Sequence, residues 1–414
     1  MRVEQDVAAG PVVLSRARIV VLAIAAGVIV ANLYYTQPLV AIISHALGLA
    51  PGAAGLVMTL TQVGYGVGIL VAVPLGDRVE NKRLMLAMIA IAMLGLVGLT
   101  FARQTAPYFA AAFATGLGCS TVQIIVPYAA SFVPEARRGQ TVGQLMSGLM
   151  LGIMLSRPIS SFLTDLISWH AVFVLSLGFM AVLGVVLARM LPARRPAQSE
   201  LGFLALFGSM GRLFAGTPVL QRRALYQAMM FGGFCLFWTA VPLLLAGPRF
   251  GMSQTQIAVF ALVGVAGAIS APLAGIAADR GRAWVTSLLA LLGGAAAFAL
   301  GHVAPAAGPV AIPLLAVMAI LLDAGVSASL VIGQRAIFGL APQLRGRLNA
   351  LYIASTFAGG ATGSALGAWA FARGGWDLTT WVGLGLPMIA LLVFFTEPRP
   401  AARPASLTAP LPAE

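Results

Sequence analysis

Twelve stretches of this 414-residue chain are apolar over a length that can cross a lipid bilayer, about 20 residues each. Of all residues, 60% are hydrophobic and only 9% are charged. Soluble domains average roughly 25% charged residues, so this chain has too few charges to cover a water-exposed surface. We therefore expect an all-α membrane protein with twelve transmembrane helices. The predicted spans, numbered 1 to 12, are about 18–43, 53–76, 84–102, 106–130, 140–163, 169–191, 224–245, 254–278, 283–302, 308–334, 347–371 and 376–396.

The positions of the basic residues predict how the chain is oriented in the membrane. Of the 25 lysines and arginines, 21 lie in the tails and loops on one side, and only Arg103, Arg249 and Arg373 lie on the other side. Because loops rich in lysine and arginine stay in the cytoplasm, both termini are predicted to be cytoplasmic. The net charge of +13 therefore reflects membrane topology, and we expect no nucleic-acid partner.

An internal repeat divides the chain into two similar halves, because four landmarks recur in order between 202 and 208 residues later. They pair Pro38 with Pro242, Asp77 with Asp279, Pro134 with Pro342, and Trp169 with Trp376. The predicted organisation is a cytoplasmic tail over 1–17, a six-helix bundle over 18–191, a cytoplasmic linker over 192–222, a second six-helix bundle over 223–397 and a cytoplasmic tail over 398–414. Parallel halves of this kind hold a ligand near the midplane between them.

The linker contains one apolar stretch, Leu201–Phe207, which is too short to cross a membrane. Two interpretations stay open for it. It forms a short amphipathic helix on the inner leaflet, or it belongs to a solvated linker.

Several motifs resemble one transporter family. The segment Val73-Pro-Leu-Gly-Asp-Arg-Val-Glu-Asn-Lys-Arg83 resembles the loop signature G-x-x-x-D-R-x-G-R-R/K of the major facilitator superfamily, and Gly275-Ile-Ala-Ala-Asp-Arg-Gly-Arg282 resembles it again in the second half. Three further segments are similar to those of one bacterial branch of this family, which lies near the twelve-helix drug:proton antiporters. They are Asn32-Leu-Tyr-Tyr-Thr-Gln-Pro-Leu39, Ser168-Trp-His-Ala-Val-Phe173 and Arg345-Gly-Arg-Leu-Asn-Ala-Leu-Tyr352.

The resemblance covers residues 15–397. It implies the major facilitator fold, with two pseudo-symmetric six-helix bundles in the cell inner membrane. It also implies a monomer that works by alternating access around a central cavity.

The chain departs from the family pattern at positions that matter for proton coupling. The segment Ala112–Gly118 keeps the glycines of the span 4 motif but has alanine where proton-coupled members carry arginine. Span 5 has Arg157-Pro158 where the antiporter motif has Gly-Pro, and Val73 and Glu80-Asn81 replace glycine and Gly-Arg in the loop signature. Span 1 also lacks the carboxylate of several multidrug members, which weakens a preference for lipophilic cations. Proton antiport therefore does not follow from the resemblance alone.

Two charged residues lie in the middle of predicted spans, Arg157 in span 5 and Asp323 in span 10. Charges inside a membrane are costly and mark functional sites. The apolar neighbours of Asp323 disfavour its ionised form, which suits reversible proton binding or substrate contact. The alternative is a permanent ion pair between Asp323 and Arg157 that fixes helix packing. Arg157 is also a candidate for holding an anionic substrate.

Polar and aromatic residues within the spans predict a substrate cavity, because polar side chains that face lipid cost free energy. Hydrogen bonds between packed helices are the alternative role for each of them. The predicted cavity residues are Asn32, Tyr34, Tyr35 and Gln37 in span 1, Gln123 and Tyr128 in span 4, Tyr226, Gln227 and Trp238 in span 7, and Tyr352 in span 11. Aromatic walls with a few amides suit an amphipathic organic molecule.

Acidic and basic residues at the cytoplasmic ends of spans 2 and 8 predict a gate. A carboxylate at such a position can accept hydrogen bonds from the N-terminus of a facing helix, and in the family this contact latches the two halves together. Span 11, which begins near Arg347, is the expected partner of Asp77. Simple anchoring of helix ends at the membrane surface is the alternative. The predicted gate residues are Asp77, Arg78, Asp279, Arg280 and Arg282.

The leading functional prediction is proton-coupled efflux of a small amphipathic organic compound or drug. A facilitator or exporter of a sugar-like or anionic metabolite is the alternative, and a non-transporting membrane sensor or scaffold is a remote one. No enzyme, metal site or cofactor is expected, because His45, His170 and His302 lie at span edges without ligand spacing. The expected partners are a small molecule, protons and the lipid bilayer.

Overall fold

A computed structural model describes residues 14–195, 203–267, 269–303 and 310–397. The described residues form helices joined by short connections, with no β-strand among them. The predicted cytoplasmic tails fall mostly outside the described residues, as does the start of the apolar stretch in the linker.

Spans 1 to 6 form the first half of the molecule. Span 1 consists of Arg16–Ala31 and Val40–Ala46, span 2 of the short 3-10 helix Pro51–Ala53 and of Leu56–Gly76, span 3 of Asn81–Phe101, span 4 of Thr105–Cys119 and Val122–Ser131, span 5 of Glu135–Leu166 and span 6 of Trp169–Met190.

Spans 7 to 12 form the second half. Span 7 is Pro218–Ala246, span 8 consists of Gln254–Ala261, Gly264–Gly267 and Ser270–Asp279, span 9 is Ala283–Val303 and span 10 is Ala311–Phe338. The 3-10 helix Pro342–Leu344 then leads into Arg345–Phe394, which contains both span 11 and span 12.

The twelve-helix bundle contains nine helices that are each long and apolar enough to cross a membrane, counted over the described ranges. Spans 1 and 8 are absent from this count because each is broken into shorter helices. Spans 11 and 12 count as one helix because a kink at Gly374 and Gly375 joins them. Gly375 has a φ of 60°, a left-handed conformation that glycine adopts without steric cost.

Proline and glycine explain the breaks in spans 1 and 8. Pro38 has no backbone N–H and disfavours the helical conformation of the residue before it, so the chain between Ala31 and Val40 forms turns. Gly264 and Gly267 lie beside the breaks of span 8, and glycine is a weak helix former. Irregular backbone at membrane depth is tolerated where it is buried in protein or lines a cavity. Both breaks lie at the centre of the bundle, next to Arg157 and Asp323.

The linker contains a helix, Phe203–Ala215, which extends well beyond the apolar stretch that the sequence marks. Leu206 and Met210 on this helix are buried against the bundle. The linker over 203–222 is therefore mostly helical, and its first helix packs on the bundle.

Side-chain hydrogen bonds join the two halves at several levels of the bundle. We call the end that carries Asp77 and Asp279 the arginine-rich end and the other end the opposite end. Near the opposite end, Thr59 Oγ1 donates to the carbonyl of Ala361 at 3.1 Å, and Thr255 donates to Asp165. At mid-depth Gln62 Nε2 donates to Cys235 Sγ at 3.2 Å, and nearer the arginine-rich end Asn349 Nδ2 donates to Gln123 Oε1 at 3.4 Å.

Candidate functional site

Arg157 lies in the middle of span 5 at the interface of the two halves, with only 4% of its surface exposed. Its Nε donates to Oε1 of Gln37 at 2.7 Å. Its guanidinium carbon lies 4.3 Å from the ring centroid of Trp238, 5.0 Å from that of Phe234 and 5.7 Å from that of Tyr34. Phe234 and Trp238 belong to the second half, so cation–π attraction holds Arg157 across the interface.

Local structure explains why these groups meet. Phe234 and Trp238 are four residues apart, so they lie on one face of span 7. The turns before Pro38 bring Gln37 and Tyr34 to the same place from span 1. The site is therefore built from three spans that meet at mid-depth.

Asp323 lies on span 10, and 6% of its surface is exposed. Its Oδ1 accepts a hydrogen bond from the indole Nε1 of Trp238 at 3.0 Å. Span 8 packs against it through two glycines. A β-carbon at Gly267 would overlap the Asp323 side chain, and one at Gly264 would lie 2.5 Å from Oδ2 of Asp323 and 3.4 Å from Nη1 of Arg157. A larger residue at either position would displace the carboxylate.

The two charges of the site are close, yet they form no direct ion pair in this conformation. The ion pairs among the described residues are Arg83–Glu80, Arg223–Glu397 and Arg335–Asp279. Oδ2 of Asp323 and Nη1 of Arg157 face each other past Gly264, separated by more than the 4.0 Å of an ion pair. Nη2 of Arg157 is buried without a hydrogen-bond partner. The interpretation as a fixed ion pair does not describe this arrangement.

Several amide side chains lie inside the bundle, and those of Gln62 and Gln123 bond across the interface between the halves. Gln62 and Gln227 are each 1% exposed, and the Oε1 atom of each has no hydrogen-bond partner. Gln123 accepts from Asn349 of the second half and donates to the hydroxyl of Tyr65 at 3.0 Å. Tyr65 packs on Phe357 of the second half with ring centroids 4.3 Å apart. Aromatic and amide groups therefore line the interface between the two charges and the arginine-rich end.

Other predicted cavity residues are engaged in helix packing. Asn32 accepts from Ser176 of span 6 at 2.5 Å, and Tyr35 lies beside the same serine. The hydroxyl of Tyr352 donates to backbone carbonyls of span 10, at 3.3 Å for Leu330. Hydrogen bonds of this kind are those that the alternative role in helix packing requires, and the cavity role of these residues stays a prediction.

Two predicted cavity residues lie at the arginine-rich end instead. The hydroxyl of Tyr128 donates to the carbonyl of Pro192 at 2.7 Å, and that of Tyr226 donates to Glu397 at 3.3 Å. Both bonds tie span ends to neighbouring chain segments, away from Arg157 and Asp323.

The predicted gate residues differ between the two halves. Asp279 pairs with Arg335 of its own half, whereas Asp77 has no ion pair in the described residues. Partial burial raises the pKa of Asp77 above its usual value, and Arg347 and Arg194 counteract that rise. Arg347 begins span 11, so the expected partner is near Asp77 without being bound to it. Arg78, Arg280 and Arg282 are exposed.

Sequence reasoning missed Phe234, Gly264, Gly267 and Gln62. Phenylalanine in an apolar span carries no signal of its own, although its four-residue spacing to Trp238 marks a shared helix face. The two glycines matter only because a charged side chain packs on them. Across the described ranges, no three histidine, cysteine or acidic side chains come together as a metal site would require.

Two similar six-helix halves with buried charges between them define the class of secondary membrane transporters. The profile of the Major Facilitator Superfamily matches residues 22–244 and again 223–413. The chain therefore belongs to the Major Facilitator Superfamily. It is a multi-pass membrane transporter of that superfamily and not an enzyme.

Individual relatives agree with this assignment. The uncharacterized transporter YgaY of Escherichia coli O157:H7 is 36% identical over 382 residues, which cover 92% of this chain and 96% of that protein. A probable transporter of Streptomyces coelicolor is 32% identical over 359 residues, which cover 86% of this chain and 81% of that protein. The structure of a bacterial homolog of the human lysosomal transporter Spinster, crystallised inward-facing and unoccupied, matches with a TM-score of 0.71 at 15% identity. The match covers 92% of this chain and 96% of that chain, and at this identity it shows the fold alone.

Proposed function

We propose that the chain couples proton movement to the efflux of a small amphipathic organic compound by alternating access of its two halves. The position of Asp323 carries the proposal. It is a carboxyl group buried between the halves, with one hydrogen bond from Trp238 and no ion pair. A carboxyl group in apolar surroundings is easily held neutral, so it takes up a proton on one side and releases it on the other as access alternates.

The lining of the interface supports an amphipathic substrate. Tyr34, Phe234 and Trp238 offer ring faces around mid-depth. The unpartnered amide oxygens of Gln62 and Gln227 offer hydrogen-bond acceptors. Apolar walls with a few fixed polar groups are typical of small-molecule sites.

One observation favours a second candidate, transport of an anionic metabolite. Nη2 of Arg157 is buried and lacks a hydrogen-bond partner. A guanidinium group binds carboxylates and phosphates through two parallel N–H groups. An anionic substrate would complete the hydrogen bonding of this side chain.

The proposal includes the placement of the protein in the cell. We place the arginine-rich end, with both termini and the linker 192–222, in the cytoplasm of a cell with an inner membrane. The excess of basic residues at that end supports this orientation. The bundles 18–191 and 223–397 act as the two moving bodies of a monomer.

The test is a flux assay in proteoliposomes with an imposed pH gradient. Matched cationic, neutral and anionic amphipathic compounds are compared. A gradient of about one pH unit supplies about a tenfold driving ratio per proton. We expect the wild type to accumulate one compound class, Asp323→Asn to lose the dependence on the gradient, and Asp377→Asn, which changes an exposed acid at the opposite end, to keep it.

The outcomes separate the candidate functions. Wild-type flux that ignores the gradient rejects proton coupling. Flux of anionic compounds only, lost in Arg157→Gln, supports the second candidate. Absence of flux for every compound supports the scaffold alternative.

A further inference from the structure

The geometry points to Trp238 as the positioning residue for proton uptake by Asp323: its indole N–H donates to Oδ1, holds the carboxyl group near Arg157 and favours the carboxylate form. This inference rests on the proposed role of Asp323 in proton coupling. It adds which side chain holds the carboxyl group and opposes its protonation.

The first argument is the chemistry of the indole group. Trp238 Nε1 donates to Oδ1 at 3.0 Å, and an indole N–H is a donor that cannot accept a proton. A neutral carboxyl group has one O–H and needs an acceptor or free space beside it. Oδ1 faces the indole donor and Oδ2 lies toward Nη1 of Arg157, which is also a donor, so both neighbours favour the carboxylate form.

The second argument is the surroundings of Oδ2. Gly264 and Gly267 of span 8 pack on Asp323, and a β-carbon at Gly264 would lie 2.5 Å from Oδ2, 3.1 Å from Cζ2 of Trp238 and 3.4 Å from Nη1 of Arg157, so these three groups border the same position. Two further titratable groups near Asp323 feel its charge, Tyr34 of span 1 and Cys235 of span 7. Arg157 is the positive charge among them, and it belongs to the other half of the molecule.

The third argument is that Trp238 contacts both charges. Its ring lies 4.3 Å from the guanidinium carbon of Arg157 while its N–H holds Asp323. A hydrogen bond to a charged acceptor is roughly twice as strong as one to a neutral acceptor. Protonation of Asp323 therefore weakens the indole hydrogen bond and, with it, the position of the ring that Arg157 contacts across the interface.

The test uses infrared difference spectra of the purified full chain in lipid vesicles, titrated from acid to alkaline pH. The carboxylic C=O band that disappears in Asp323→Asn belongs to Asp323, and no substrate is needed to observe it. We expect Trp238→Phe, which keeps a ring and removes the N–H, to move the titration midpoint of this band upward by about one pH unit. This follows because a hydrogen bond that favours the carboxylate is lost.

The control is Phe237→Leu, which changes a buried ring beside Trp238 that touches neither charge. Its midpoint should equal that of the wild type. If Trp238→Phe does not fold, site-specific benzothienylalanine at position 238 replaces the N–H by sulfur and keeps the shape of the ring. An unchanged midpoint in a folded variant without the N–H overturns the inference and leaves the proposed function intact. A wild type without a titrating Asp323 band overturns both.

Discussion

Arg157 and Asp323 are the two charges of the central site, and neither is fully neutralised by its neighbours. Arg157 makes one hydrogen bond and contacts three aromatic rings, and Asp323 accepts one hydrogen bond. Because both are buried, each depends on the field of the other even without direct contact. Such a loose arrangement allows the carboxyl group to change its charge, whereas a tight ion pair would hold it ionised.

A double-mutant cycle tests this mutual dependence. We expect Arg157→Gln to lower the free energy of unfolding by about 3 kcal/mol, because it leaves the buried carboxyl group without a positive neighbour. Adding Asp323→Asn should restore about 0.5–3 kcal/mol of that loss, since the unpaired charge is then gone. The measurement is denaturant unfolding of the purified variants in detergent. Additive effects of the two substitutions would show that the charges do not interact.

Sequence reasoning finds charges more readily than it finds their surroundings. Arg157 and Asp323 stand out because ionisable residues are rare in apolar spans. Gln37 stands out as an amide in the same kind of segment. Phe234 and Gly264 do not, because their importance arises only when distant spans pack together.

At the scale of single helices, most glycines of spans 2 and 11 serve packing within one half. β-carbons at Gly64 and Gly363 would overlap the backbone of Phe113 and Gly232, respectively, and each of these neighbours belongs to the same half as its glycine. Gly66 differs, because it faces Ala354 and Phe357 of the other half at ordinary contact distances of 3.7 and 3.9 Å. Close approach of backbones inside a half is thus the main use of these glycines.

A pair of matched substitutions tests this distinction. Gly363→Ala should lower the free energy of unfolding by about 1–3 kcal/mol, because the new methyl group forces spans 7 and 11 apart. Gly66→Ala should leave stability unchanged or raise it by up to about 1 kcal/mol through helix propensity. Thermal unfolding of both variants in detergent gives the comparison. Equal destabilisation by the two substitutions would contradict the packing difference.

The helix breaks show what a hydrophobicity pattern can and cannot predict. The apolar length of span 8 predicts one crossing element, and the structure has three short helices in that place. Span 1 is likewise divided, although Pro38 marks the position. The apolar length of a span reflects the thickness of the surrounding lipid bilayer. The breaks depend instead on local proline and glycine residues and on burial at the centre of the bundle.

At the scale of the whole molecule, side-chain bonds join the halves near the opposite end, whereas Asp77 at the arginine-rich end makes no ion pair with the described residues of the other half. Thr59 and Asp165 take part in bonds between the halves, whereas Asp77 is near Arg347 without an ion pair. In this conformation the predicted latch is not engaged. We predict that it forms in the other state of the proposed transport cycle.

The raised pKa of Asp77 predicts how pH shifts the balance between the two states. Protonated Asp77 favours the described conformation, and this stabilisation is lost as the pH rises through the raised pKa. Rising pH should therefore populate the latched state, and Asp77→Asn should abolish this shift. The measurement is the distance between spin labels at Arg138 and Gln343, exposed residues at the arginine-rich end of each half.

Asp279→Asn is the matched control for Asp77. The carboxylate of Asp279 pairs with Arg335 inside one half, so its loss should leave the pH-dependent shift in place. A shift that persists in Asp77→Asn would instead assign it to another group, with Asp323 as the first candidate.

The missing ion pair at the central site has an electrical consequence. Arg157 keeps its positive charge throughout, and Asp323 cancels it only while ionised. In the proposed transport cycle, the central site carries no net charge while Asp323 is ionised and one positive charge while it is protonated. Where the proposed motion moves this site through the membrane field, the voltage, at about 2.3 kcal/mol per charge and 100 mV, acts on the empty carrier only in its protonated form.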